Sequence, residues 1–190
     1  QGAMKDEFFE LYSYDISCIG YKFLIKKILE NDKYGLIIKP KKPKLLKEKL
    51  GETYLMLQKA KETNRCIVLE NFDKNHVKNF DDIPAKIAKA SDLTIHDNVL
   101  AGTAALESAL VGSKSVMFDY YKSKKNQFES DGLNIVFRDW NLLWEEIEKD
   151  YKNFSNSNLG DWNKIIHKFD KFRDGRSNVR ITNFIKEISN

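Results

Sequence analysis

Apolar positions recur along the chain at two alternating periods. In residues 21–29, Tyr21, Leu24, Ile25, Ile28 and Leu29 share one face of a 3.6-residue helix, and Asn31, Asp32 and Gly35 close it. Residues 35–39 form a short continuous apolar run halted by Pro40, the signature of a strand covered on both faces. The same reading predicts a long helix over 45–61, weakened at Gly51, and a second buried strand over 65–69. Pro84 opens a short helix over 85–90, and residues 93–95 give a third strand. A small-residue helix over 103–111 ends at Gly112, followed by strands over 115–118 and 134–137. A helix over 141–151 carries Leu142, Leu143, Trp144 and Ile147 as its apolar residues. Beyond a polar stretch at 153–158, two more helices are predicted over 162–169 and 178–188.

Buried strands alternating with helices predict an α/β fold: a Rossmann-like parallel sheet of about five to six strands, helices on both faces, and right-handed crossovers. The expected division is a lead-in over 1–12, a Rossmann-like domain over 13–151, and a linker with C-terminal helices over 152–190. Gln1-Gly2-Ala3 ahead of Met4 reads as an expression remnant. Ligands of such sheets bind at the carboxyl ends of the strands, which directs attention to residues 39–41, 70–72, 96–98 and 119–121.

Composition narrows the class. At 190 residues and 42% hydrophobic, the chain has enough apolar material for a core. No apolar run approaches the ~20 residues that span a bilayer, so no transmembrane segment is expected. Of the 32 basic residues only five are arginine, and the lysines are spread along the chain among 28 acids, for a net charge of +4. Readers of nucleic acid cluster their cations on one face, so no nucleic-acid partner is expected. Cys18 and Cys66 lie far apart beside apolar residues, which suits buried reduced thiols and a cytoplasmic protein, at most peripheral to the inner face of the membrane. Asp73, Asp81 and Asp82 lack metal-ligand spacing, so no metal site and no cofactor is expected.

The richest stretch for chemistry is 99–112. Gly102 lets a ligand approach the backbone, and Thr103 reads as the N-cap of a helix whose first-turn N–H groups and dipole suit an anion. Glu107 is the lone charge of the stretch and lies one turn after Thr103 on the same side. It reads either as a carboxylate receiving two ribose hydroxyls below a phosphate or as a helix-surface acid.

Residues 83–95 and 102–116 together resemble the C-terminal half of GT-B glycosyltransferases: helix, Asp-hydrophobic strand, small-residue loop, helix with a glutamate, Gly-Ser-Lys and the next strand. The likeness extends to residues 37–41 and 169–176, and the order of the motifs is similar to that of bacterial surface-carbohydrate transferases. It implies a domain that binds a nucleotide-sugar donor, with Glu107 on the nucleotide ribose and Gly102 and Thr103 along the phosphates. It also implies that a glycan or lipid-linked acceptor and the catalytic base belong to an N-terminal half. The catalytic residue is therefore unassigned, and this chain is expected to be a piece of a larger enzyme.

Four further residues join the donor-facing set. Lys39 follows a buried strand directly and reads as a phosphate-facing cation or as a solvated lysine beside Lys41, Lys42 and Lys44. His96 reads as an acid/base or diphosphate donor, or as a structural histidine at a strand end, and Asn98 shares its loop. Ser13 lies in a polar-aromatic loop suited to closing over the donor, or to a strand end with core aromatics. Arg173 to Arg176 suit either a phosphate or a capped turn. The expected function is thus the donor-binding half of a transferase acting in surface polysaccharide or lipopolysaccharide synthesis. The alternatives are a nonenzymatic flavodoxin-like partner-binding or regulatory module and a polyol-phosphate transferase of the same architecture.

Overall fold

The computed structural model describes residues 14–41, 43–69, 84–97, 99, 102–120, 128, 132–153 and 157–189. In chain order these form α1 (Tyr14–Glu30), β1 (Leu36–Ile38), a 3-10 turn (Pro43–Leu45), α2 (Leu46–Leu50), α3 (Thr53–Glu62) and β2 (Cys66–Val68). There follow α4 (Pro84–Lys89), β3 (Thr94–His96), α5 (Thr103–Leu110), β4 (Ser115–Phe118), β5 (Val136–Phe137) and α6 (Trp140–Lys152). A 3-10 turn (Ile166–Lys168) and α7 (Ser177–Ile188) complete the set.

The protein is α/β with parallel strands, but the strands do not join into one sheet of five or six. Among the described residues β1 and β2 form a two-stranded parallel sheet, and β3, β4 and β5 a three-stranded one in that order. Strands of two to four residues carry few ladder bonds, so side-chain packing has to connect the two sheets. Helix α1 supplies it. Its Ile25 is buried beside Ile38, Leu46, Leu50, Leu57, Ala60 and Cys66 of the two-stranded half. Its Phe23 and Leu24 pack against Val116, Phe118, Phe137, Trp140 and Leu143 of the three-stranded half.

Strand β4 is the centre of the larger half. All four of its residues are buried. Met117 faces Val99, Ala105, Ala109, Phe128 and Ile135 on one side, while Val116 and Phe118 face α6 on the other, as the period of two along a strand requires. Residues 157–169 return to this sheet. Leu159 bridges Asn134, the Gly160 carbonyl accepts from Ser115 N–H at 3.1 Å, and the Trp162 indole N–H donates to the Ser115 carbonyl at 2.8 Å.

Two expected helices differ. The helix over 45–61 breaks at Gly51, whose φ of +50° ends α2 with its N–H on the Lys47 and Glu48 carbonyls, and α3 starts afresh. The helix over 162–169 is reduced to the 3-10 turn. Trp162, Ile165 and Ile166 are buried at 3% exposure each, and the Trp162 carbonyl takes both the Ile165 and Ile166 N–H groups.

Two caps set helix ends. Asp139 receives Asn141 N–H at 2.7 Å and Leu142 N–H at 3.1 Å, starting α6. Arg65 closes the other end of α1: its Nη1 donates to the carbonyls of Ile28 at 2.8 Å, Asn31 at 2.8 Å and Tyr34 at 3.0 Å.

Candidate functional site at the carboxyl edge of the larger sheet

Strands β3, β4 and β5 deliver His96 and Asp97, Asp119 and Tyr120, and Arg138 and Asp139 to one edge. Helix α5 starts beside that edge. Gly102 stands at its cap and no side chain caps the first turn. A Cβ at 102 would come within 2.9 Å of the Phe128 ring and 3.2 Å of Met117 Sδ, so glycine here admits the Phe128 ring against the helix start. The inner face of α5 is small, with Ala105, Ser108 and Ala109 buried and Ser108 Oγ donating to the Ala104 carbonyl at 2.9 Å. Thr103 and Glu107 are both exposed. The arrangement can present helix N–H groups and, one turn on, a carboxylate to the same ligand.

His96 is half-buried, and its ring contacts Thr94 Oγ1 at 3.3 Å. Burial pulls its pKa down to about 4, so the imidazole is neutral at pH 7. As a ligand of diphosphate it would act as a neutral donor, not a cation. Asp97 next to it is exposed. Burial raises the Tyr21 phenol well above its ordinary value, and the Asp97 charge adds to the effect. The Tyr120 phenol is raised in the same way, first by burial and then by Asp97. Tyr120 Oη and Trp140 Nε1 are both buried without a hydrogen bond of ordinary geometry among the described residues.

Asp119 is fully buried at the end of β4, and its Oδ2 accepts from Arg138 Nε at 3.1 Å. A buried carboxylate needs such a partner, because an isolated one costs far more than folding can supply. Neither residue stood out individually in the sequence. The signal available was the rarity of arginine in a lysine-rich chain. Arg65 serves three carbonyls, Arg138 a buried carboxylate, and Arg180 both oxygens of Asp174 at 3.0 and 2.9 Å. In each the permanently charged guanidinium donates to buried or clustered oxygens, and in Arg65 and Arg180 a single Nη1 serves all of these acceptors.

The other expected residues divide as follows. Lys39 is exposed at the exit of β1, on the two-stranded sheet and not on the sheet that carries His96 and α5. Ser13 and Asn98 lie outside the described residues. The 173–176 stretch is a capped turn: Asp170 receives Arg173 N–H at 2.9 Å, and Asp174 receives Arg176 N–H at 3.0 Å and holds Arg180. Both cysteines are free, and Cys66 is buried. Among the described residues, no group of three His, Cys, Asp or Glu is placed to hold a metal ion, and no helix is long and apolar enough to cross a membrane. No family model, curated protein or solved structure matches the chain.

Proposed function

We propose that the chain is the nucleotide-sugar-binding half of a GT-B-type glycosyltransferase acting in bacterial surface polysaccharide or lipopolysaccharide synthesis. The observation that carries this reading is the exposed Thr103–Glu107 pair on α5, one turn apart beside a parallel-strand edge, at a helix start that no side chain caps. In this reading the donor diphosphate lies against the first-turn N–H groups, which stabilise the charge that builds on the departing phosphate. Glu107 receives the two ribose hydroxyls, and His96 offers a neutral N–H nearby. The catalytic base and the acceptor site belong to a partner half, and the protein works in the cytoplasm beside the membrane that carries its acceptor.

Titration calorimetry with UDP, CDP, CMP and GDP tests the reading. One of them is expected to bind, and Glu107→Ala to weaken it roughly ten- to a hundredfold, since hydrogen bonds to a charged group are the strong kind. Glu107 is exposed, so the same change should move stability by no more than about 0.5 kcal/mol. Unaltered affinity in a folded Glu107→Ala protein would end the donor-site reading at this residue.

A second reading, a nonenzymatic partner-binding module, draws on a different observation: α7 has no buried residue although it carries several large apolar side chains. Absence of binding to every nucleotide tested, with stable association to a protein partner, would favour it.

A further inference from the structure

The amphipathic pattern of α7 is unsatisfied among the described residues. Ile181, Phe184, Ile185 and Ile188 follow the i, i+3, i+4, i+7 spacing of a single apolar stripe, with Val179 on the opposite side. These four are 60%, 61%, 53% and 68% exposed. The start of the helix is nonetheless fixed. Asp174 holds Arg180, the Arg180 guanidinium lies 4.0 Å from the Phe172 ring centroid, and Arg173 Nη2 reaches the Leu110 carbonyl at 3.4 Å. Phe172, itself 57% exposed, lies on the Arg180 side of the stripe.

We infer that α7 is the face through which a second copy of this chain binds, with the two helices antiparallel across a two-fold axis near Phe184. Two features of the stripe choose this occupant. The first is charge. One edge of the stripe carries Arg180 and, seven residues on, Glu187. Turning the helix end for end sets each opposite the other in the copy, so the surface is complementary to itself. The second is area. The four side chains present on the order of 500 Å² of apolar surface, the upper end of what monomers leave bare. Two copies remove at most about 1,000 Å² from water, the floor for a specific protein contact, so the dimer is a weak and reversible one. A lipid surface is the poorer fit, because helices that lie in a bilayer interface carry a lysine- and arginine-rich polar face. The polar side of α7 has Arg180 and Lys186 balanced in part by Glu187.

Sedimentation equilibrium on the full chain tests the inference. A reversible monomer–dimer equilibrium built on the 22.2 kDa chain is expected. Phe184→Asp and Ile188→Asp should each raise the dissociation constant by at least about tenfold, because they place a charge in the centre of the contact. Asn183→Asp, on the far side of the helix, should leave it unchanged. Glu187→Arg should weaken the dimer, and more at low salt than at high salt. At concentrations where every protein is monomeric, thermal melts of all four variants should match the parent, since none of these residues is buried in the fold. A monomer at every concentration, a dimer indifferent to both aspartates, or an open-ended series of larger species overturns the inference.

Discussion

A Cβ placed on Gly20 would lie 2.5 Å from Trp140 Cζ2 and 2.8 Å from the Tyr120 hydroxyl oxygen. The α1 backbone and the α6 indole therefore touch directly. Trp140 stacks in turn on Phe118 of β4, centroid to centroid at 4.3 Å and 8° between planes. This column locks α1 to the larger sheet, while the other side of α1 builds the core of the smaller one. Gly20→Ala sets two effects against each other. Helix propensity favours alanine by about 1 kcal/mol, and overpacking against the indole costs roughly 1–3 kcal/mol. With two aromatic side chains in the way, the clash should win, leaving a net loss of about 1–2 kcal/mol in urea unfolding. Trp140→Phe introduced beside Gly20→Ala should recover part of it. A more stable Gly20→Ala protein would show that the indole swings aside.

Arg65 holds three carbonyls at the end of α1 from the start of β2. Arg65→Ala leaves all three without this donor and removes a cation from the negative end of the helix dipole. A loss of about 2–3 kcal/mol is expected. Arg65→Lys should fall between, because the lysine stem keeps a cation near the helix end but does not hold a donor rigidly among all three carbonyls. Equal midpoints for Arg65→Lys and the parent would mean that charge alone matters here.

His96 gives the protein an acid-sensitive element. In the folded chain burial keeps its pKa at about 4, against an ordinary value near 6.5. Between those values the unfolded chain holds a proton that the folded chain refuses, so stability rises with pH across the window and falls on acidification. Its contribution is expected to drop by about 2 kcal/mol between pH 7 and pH 5. Urea melts at both pH values measure this, and His96→Gln should remove that share of the loss. An undiminished pH slope in His96→Gln would move the effect to other groups.

Gly160 has a φ of +66°, and a Cβ there would meet the Ser115 backbone nitrogen at 2.6 Å. Both the left-handed conformation and the approach of main chain to main chain call for glycine. Gly160→Ala should cost more than about 2 kcal/mol and open the contact that ties residues 157–169 to β4. Hydrogen exchange at the Ser115 amide, whose acceptor is the Gly160 carbonyl, should accelerate with it. A protected Ser115 amide in the variant would show the contact intact.

Local pattern was enough to locate the strands. The apolar runs at 35–39, 65–69, 93–95, 115–118 and 134–137 each contain or overlap one of β1 to β5, but the expected burial on both faces holds only for β4, and Ile67 of β2 is 54% exposed. It also marked the small-residue helix that bears Thr103 and Glu107, although the cap expected at Thr103 is Gly102 and Thr103 is the first helical residue. Which strand neighbours which is not written in such runs. An apolar run states that a segment is apolar, not what it packs against or how completely. Tertiary packing alone decided that Gly20 faces an indole, that Gly102 makes room for Phe128, and that Asp119 is buried on Arg138. It also decided that residues 159–166 enter the core while α7 stays outside with its apolar stripe exposed. Periodicity gave the two segments similar helices. The difference arises because Trp162 finds the Ser115 carbonyl in a buried contact, whereas no described side chain covers Phe184.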